Sequence, residues 1–258
     1  MERHYMITGG GTSGHINPAL AIAELLKEDA KANGDVCKIL FTGREIGLEG
    51  EIVPKAGYEF RNVEALPMPY KPTPQAIKAM RANDRGKKQC LTLIEEFKPD
   101  CVISTGGYVS APLIFAARKA GIPVMLHEAN AFPGRANKLF SKGSALVMTG
   151  FPNQEQIFSK ARKVVYTGNP VRSTMFGKTK EGSRKELGIE PDRKMVFIMG
   201  GSLGAATLTN FVFDMAQKKE YKDILFVLSV GKPNSLQNIS VQYQLPCGMV
   251  GEIQTQDT

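Results

Sequence analysis

The chain has 258 residues, 42% of them hydrophobic, a formal net charge of +8 and four cysteines. That length admits one large domain or two small ones, and that much apolar material excludes a disordered or low-complexity chain. The basic excess points to an anionic partner: a nucleotide, a nucleic acid or an acidic membrane surface. Cys37, Cys90, Cys101 and Cys247 show no metal-type spacing, so they read as buried thiols in a reducing compartment. The opening residues lack the pattern of a secretory leader, and no run approaches the ~18 apolar residues of a membrane span. The expectation is a cytosolic protein able to touch a membrane surface.

An apolar strand ending at Thr8 runs into Gly9-Gly10-Gly11-Thr12-Ser13-Gly14-His15. A helix is expected from Pro18 to about Lys31, because proline suits a first helical turn. Residues 36–42 (VCKILFT) read as a strand buried on both faces. Gly43 to Glu51 forms a turn into a short helix, and Tyr58 to Leu66 is extended. After the proline-rich stretch 67–74 comes a helix carrying Ile77, Met80, Cys90, Leu91, Leu93 and Ile94, with an interruption expected near Asn83–Gly86. Strands follow at 101–105, 123–127 and 146–149, separated by helices at about 111–120 and 134–140. This βαβ alternation predicts a parallel sheet with helices on both faces, whose ligands gather at the C-terminal ends of the strands. Those ends carry Thr8–Gly14, Gly106–Tyr108 and His127–Asn130.

Past Thr167-Gly168-Asn169-Pro170-Val171-Arg172 the pattern changes. A strand from Met195 ends in Gly200-Gly201-Ser202-Leu203-Gly204-Ala205, which repeats the opening design. A helix at about 205–217 and a strand at 224–230 follow, and then the pattern decays. The expected division is a Rossmann-like domain over 1–168, a linker over 169–190 and a partial second α/β domain over 191–258.

Gly9, Gly11 and Gly14 satisfy G-x-G-x-x-G, which serves a dinucleotide, another phosphate, or simply a tight turn. The dinucleotide reading wants an acid at the end of the second strand, where Thr42-Gly43-Arg44-Glu45 is equivocal. His15, near a helix N-terminus, is held neutral by the local positive potential. A neutral imidazole is either a general base or a turn-capping group. Glu128 and Asn130 either bind sugar hydroxyls and orient a base, or cap their own turn. Arg172 either grips a phosphate in bidentate fashion or is a solvated surface arginine. Ser202 either donates to a diphosphate or caps a helix. Lys71, Lys78, Arg81, Arg85, Lys87 and Lys88, interleaved with Met68, Tyr70, Ile77 and Met80, form either a membrane-surface patch or a solvated helix face. No nucleic-acid module is recognisable, and none is expected.

Taken together in order, Gly9–Ala19, Gly106–Pro112, His127–Ala131, Pro133-Gly134, Thr167–Arg172 and Gly200–Ala205 resemble the MurG family of bacterial N-acetylglucosamine transferases. The resemblance covers roughly residues 5–232. It implies an α/β GT-B fold with two Rossmann-like, doubly wound domains, the second incomplete in this sequence. It implies transfer of N-acetylglucosamine from UDP-GlcNAc to the muramoyl 4-hydroxyl of lipid I, with inversion, at the cytoplasmic face of the cell membrane, in peptidoglycan synthesis. By the same resemblance His15 is the candidate base and Glu128 joins it as catalytic. Thr12, Ser13, Gly14, Tyr108, Asn130, Arg172 and Ser202 contact substrate. No metal or other cofactor is implied, and the stretch 68–88 is the anionic-membrane patch. Ser13 stands where the family often has glycine. Residues after about 232 leave the family pattern, so truncation or a frame change is expected there, with weak donor binding and little transferase activity. Two alternatives stay open: a non-catalytic remnant that binds lipid I or a partner, and an NAD(P)-dependent Rossmann enzyme.

Overall fold

In the computed structural model, residues 1–69, 71–201 and 204–229 are described. The chain separates into two units, Met1–Phe176 and Gly177–Thr258. In the first unit β1 (Glu2–Thr8), β2 (Val36–Gly43), β3 (Glu59–Asn62), β4 (Cys101–Ser104), β5 (Val124–Glu128), β6 (Leu146–Thr149) and β7 (Val164–Tyr166) form one sheet in the order β3-β2-β1-β4-β5-β6-β7. Every pairing is parallel. The chain winds outward from β1 in one direction through β2 and β3, and in the other from β4 to β7. The switch point therefore falls between β1 and β4, where Thr8 pairs with Ser104. In such sheets a crevice opens beyond the strand ends at that point.

Both faces of the sheet are covered, which is why its strands read as continuous apolar runs. Side chains alternate, so Met6, Leu40, Val102, Val124, Leu126 and Val147 point to one face with Phe140 and Phe158. Ile7, Ile39, Phe41, Cys101 and Ile103 point to the other, under Ile16, Ala19, Leu20 and Ala23 of α1 (Ser13–Ala32). α2 (Leu48–Lys55) closes the second face through Val53. α3 (Pro74–Phe97) and α4 (Ala111–Lys119) pack on the first through Cys90, Ile94, Leu113, Ile114 and Ala117.

Two helices differ from expectation. α1 begins at Ser13, five residues before Pro18, with Thr12 as its extended N-cap residue. Pro18 lies inside the second turn, where its missing N–H deletes only the bond to the Gly14 carbonyl. His15 thus stands in the first turn of the helix and not in a loop before it. α3 runs unbroken from Pro74 to Phe97, where an interruption at Asn83–Gly86 was expected. Gly86 is a packing position: a Cβ there would lie 1.9 Å from the Glu64 carbonyl oxygen and 3.2 Å from the Pro112 Cβ. Asn83 brackets the Leu66 backbone with two 3.0 Å bonds, and Arg85 grips the Glu64 carboxylate, so the chain after β3 is stitched to this helix. β7 had no counterpart in the sequence reading; its three residues (VVY) are too few to register as a strand.

In the second unit β8 (Lys194–Met199) pairs in parallel with β9 (Ile224–Ser229), joined through α7 (Ala206–Ala216), and α6 (Lys180–Glu186) precedes them. Thr179 caps α6 by accepting the Gly182 N–H at 3.0 Å. Ser202, Tyr70, Cys247 and the expected loss of pattern after residue 232 lie outside the described residues.

Candidate active site

The glycines after β1 make room for the protein's own groups. A Cβ on Gly9 would lie 1.8 Å from the Thr105 Oγ1, one on Gly10 2.5 Å from the Glu49 Cδ, and one on Gly11 3.2 Å from the Tyr108 Cε1. Gly11 also has φ +81°, a region closed to most side chains. Its N–H donates to the Glu49 Oε2 at 3.0 Å, and the Arg44 N–H donates to the other oxygen at 3.2 Å. Glu49 is fully buried under the loop. The Gly11 donor, which the sequence offers to a phosphate, is therefore occupied by an internal carboxylate. The N–H groups of His15 and Ile16 turn back to the Thr12 carbonyl. Thr12 makes no side-chain cap, so Ser13 and Gly14 are the donors that the start of α1 presents.

His15 sits where β1, β4 and β5 end. The Cβ position of Gly106 (φ +104°) is 3.1 Å from its Cδ2, 3.3 Å from its Nε2 and 3.3 Å from the Asn137 Nδ2. Glycine at 106 is thus what lets the imidazole lie against the β4 loop. The Thr12 Oγ1 meets the His15 Nδ1 at 3.0 Å. The Thr105 hydroxyl donates to the His15 carbonyl at 2.7 Å, fixing the first turn of α1 to β4. Burial pushes the imidazole pKa below its ordinary 6.5, while the Glu128 charge and the Gly10 carbonyl pull the other way. The helix N-terminus acts in the same direction as burial.

Glu128 closes β5 and is 1% exposed. Its Oε1 accepts the Asn130 N–H at 2.9 Å and the Asn130 Nδ2 at 2.8 Å; its Oε2 accepts the Gly134 N–H and the Asn137 Nδ2, both at 2.9 Å. All four donors belong to the segment between β5 and α5 (Arg135–Ser141) or to α5 itself. The carbonyls of that segment are held from outside: the Gln154 amide donates to Asn130 and Ala131, and the Asn169 amide to Ala129. Glu128 and Asn130 are thus brought together, but facing each other. His127, also 1% exposed, lies behind them with its Nε2 3.3 Å from the Gly168 carbonyl, and burial lowers its pKa.

Tyr108 stands over Gly11 and accepts a 2.9 Å hydrogen bond from the Arg44 guanidinium. Thr12, Ser13, Gly14, His15, Tyr108, Glu128 and Asn130 accordingly surround the switch point. Arg172 does not join them. Its Nε lies 3.7 Å from the Glu24 Oε1, and the neighbouring Ser173 N–H donates to the same carboxylate at 3.0 Å. Glu24 is nine residues along α1 from His15, roughly 13 Å at a helical rise of 1.5 Å per residue. The sequence reading missed Arg44, Glu49, Thr105, Asn137 and Gln154. Nothing local distinguishes Glu49 from Glu45 or Glu51, and Gln154 lies in an irregular stretch without a motif.

These features meet a consistent set of relatives. The N-terminal domain model of glycosyltransferase family 28 matches residues 5–149. The UDP-N-acetylglucosamine--N-acetylmuramyl-(pentapeptide) pyrophosphoryl-undecaprenol N-acetylglucosamine transferase of Acetivibrio thermocellus is 41% identical over 86% of this chain. The match covers 59% of that relative, so the chain spans about three fifths of its length. Among solved structures, MurG of Acinetobacter baumannii superposes with a TM-score of 0.58 at 25% identity, over 84% of this chain and 58% of that one. A UDP-GlcNAc 2-epimerase of Neisseria meningitidis gives the same TM-score at 18% identity over 92% of this chain and 68% of that one, a likeness of fold alone. The fold class is GT-B, as the sequence motifs implied. The matched family segment runs from within β1 to the end of β6 and contains the whole switch-point cluster, and on that evidence the chain belongs to glycosyltransferase family 28.

Proposed function

We propose that this chain serves inverting transfer of N-acetylglucosamine from UDP-GlcNAc to the muramoyl 4-hydroxyl of lipid I, and that its first unit carries the acceptor side. The observation that carries this reading is His15: a half-buried imidazole in the first turn of α1, at the switch point, held neutral by burial. As base, its nitrogen takes the proton of the acceptor hydroxyl. The freed oxygen attacks the anomeric carbon, the bond from that carbon to the diphosphate oxygen breaks, and UDP leaves with the electron pair. Action through Nε2 requires the proton on Nδ1, with the Thr12 hydroxyl accepting it across the 3.0 Å contact. Glu128, with both oxygens occupied by the β5–α5 segment, supports this chemistry as a positioning residue and not as a reacting group. For Arg172 to meet the donor diphosphate it must exchange Glu24 for it. Ser202 keeps its proposed place beside the donor from the sequence alone.

The anionic membrane surface belongs to the same proposal. The first turns of α3 expose Ile77 and Met80 beside Lys78 and Arg81, while Ala79 and Ala82 face the core. Arg85 and Lys88 are paired with Glu64 and Asp84. Among the described residues no helix is long and apolar enough to cross a membrane. The deciding experiment measures transfer of labelled N-acetylglucosamine from UDP-GlcNAc to a lipid I analogue by a protein carrying this segment, with and without His15→Gln. Loss of a general base lowers turnover by about 100-fold or more at unchanged acceptor affinity. Full turnover in His15→Gln refutes the assignment.

A further inference from the structure

We propose that Arg44 is a binding residue for the diphosphate of the lipid-linked acceptor, and that Glu49 and Tyr108 exist in this site to aim it. The proposal rests on the acceptor reading above. Arg44 follows β2 at the rim where ligands gather, and the sequence reading left it unassigned. It is held at both ends. Its N–H is fixed by the buried Glu49 carboxylate at 3.2 Å, and its guanidinium Nη1 by the Tyr108 hydroxyl at 2.9 Å. The same carboxylate fixes Gly11, and the Tyr108 ring lies on Gly11, so Arg44, Tyr108 and the glycine loop are one assembly. Gly43 and Gly47 also yield to Glu49: a Cβ on either would lie 2.6 Å from its side chain.

Among the described residues no carboxylate lies within ion-pair distance of the Arg44 guanidinium, whereas Arg61, Arg85 and Arg172 each have one. Arg44 is half-buried, and its guanidinium makes no ion pair among the described residues. A guanidinium has five N–H donors in a planar fork, and Tyr108 takes one. The remainder suits two oxygens of a phosphate, and fixing both ends removes most of the ordering entropy that binding would otherwise lose. A diphosphate fits better than a single carboxylate because the start of α1, beside the same loop, presents the Ser13 and Gly14 donors to a second phosphate.

The test is calorimetric titration of the 258-residue chain with a short-chain lipid I analogue, with inorganic pyrophosphate as competitor. Three variants are compared: Arg44→Gln, Arg44→Lys, and Lys38→Gln as a charge-matched control on the N-terminal half of β2. Arg44→Gln is expected to weaken the analogue by about 10- to 100-fold, the range of a lost charge-assisted contact. Arg44→Lys, which keeps the charge and loses the fork, falls between, and Lys38→Gln matches wild type. Pyrophosphate displaces the analogue from wild type and at least tenfold less well from Arg44→Gln. Unchanged affinity in an Arg44→Gln protein with a wild-type melting temperature overturns the proposal while leaving the acceptor reading intact. Failure of pyrophosphate to compete in wild type overturns the diphosphate as the anion. If wild type does not bind the analogue at all, the acceptor reading falls and this proposal falls with it.

Discussion

Replacing Glu128 with glutamine isolates what its carboxylate does, because the size of the side chain is kept. The carboxylate accepts four N–H donors, two on each oxygen. A glutamine amide has one oxygen and one NH₂ group. Whichever way it turns, two donors face another donor: the Gly134 N–H and the buried Asn137 Nδ2, or the two groups of the exposed Asn130. A stranded donor costs about 1–3 kcal/mol where water is excluded, as at Asn137, and less at Asn130 and Gly134, which water reaches. Partial rescue is available on the Asn137 side, because its buried Oδ1 has no partner. An amide flip of Asn137 would let that oxygen accept from the introduced NH₂ group, but it would break the 3.0 Å bond from Nδ2 to the His127 carbonyl. The expected loss is therefore about 1–3 kcal/mol. For a unit of this size it lowers the melting temperature by about 2–10 °C. Urea unfolding followed by circular dichroism reads the loss, and amide exchange should accelerate at Asn130 and Gly134 before other sites. A loss below about 0.5 kcal/mol, the range of an ordinary surface change, would refute the view that Glu128 holds the β5–α5 segment.

Gly86→Ala tests α3 with an inverted sign. Helix propensity alone favours alanine by about 1 kcal/mol, yet a Cβ 1.9 Å from the Glu64 carbonyl oxygen must push backbone apart. We expect net destabilisation of about 1–2 kcal/mol, and a stabilised variant would refute the packing account. The chain has three histidines, so their titrations are separable by NMR. His15 and His127 should titrate below 6.5, held down by burial, and His4 above it, held up first by the Glu2 carboxylate and then by the Phe97 carbonyl. For His15 and His127 the unfolded chain binds more protons in the window from 6.5 down to their folded values. Their share of stability is intact above pH 6.5 and lost as pH falls through that window. His4 has the opposite sign: its share is present below 6.5 and lost as pH rises through its folded value. A His15 titration at or above 6.5 would remove the physical basis for a neutral base.

The sheet was legible because its central strands are largely buried on both faces: CVIS is buried throughout and VCKILFT from Ile39 onward, where only Val36 to Lys38 stay open to water. The convergence of Thr8–Gly14, Gly106–Tyr108 and His127–Asn130 followed from parallel topology alone. What failed was local punctuation overruled by tertiary contact. Pro18 suggested a helix start, but Thr12 is extended and begins the helix earlier, so the proline is tolerated in the second turn. Gly86 suggested a break, but close approach of the Glu64 backbone requires glycine within a continuous helix. In the site, Asn137 and Gln154 could not be found by spacing. They act on partners 9 to 24 residues away, through contacts that exist only once β5, α5 and the segment after β6 are assembled.

The glycines misled for a related reason, and the correction bears on where an anion can bind. Loops that leave parallel strands carry backbone N–H groups with no ladder to join, and buried ones must find an acceptor. At this switch point two buried carboxylates supply it. Glu49 takes the donors of Gly11 and Arg44 after β1 and β2, and Glu128 takes those of Asn130 and Gly134 after β5. The loops are therefore shaped without a ligand, and the donors they spend inward are lost to one. Each carboxylate also sets negative charge beneath the rim, which disfavours an anion directly above it. An anionic ligand must be drawn by groups these carboxylates leave free. Those are the first N–H groups of α1 and a guanidinium that Glu49 anchors through its backbone alone, and both lie on the β1–β2 side of the switch point. On the β5 side the donors of Asn130, Gly134 and Asn137 are turned inward around Glu128.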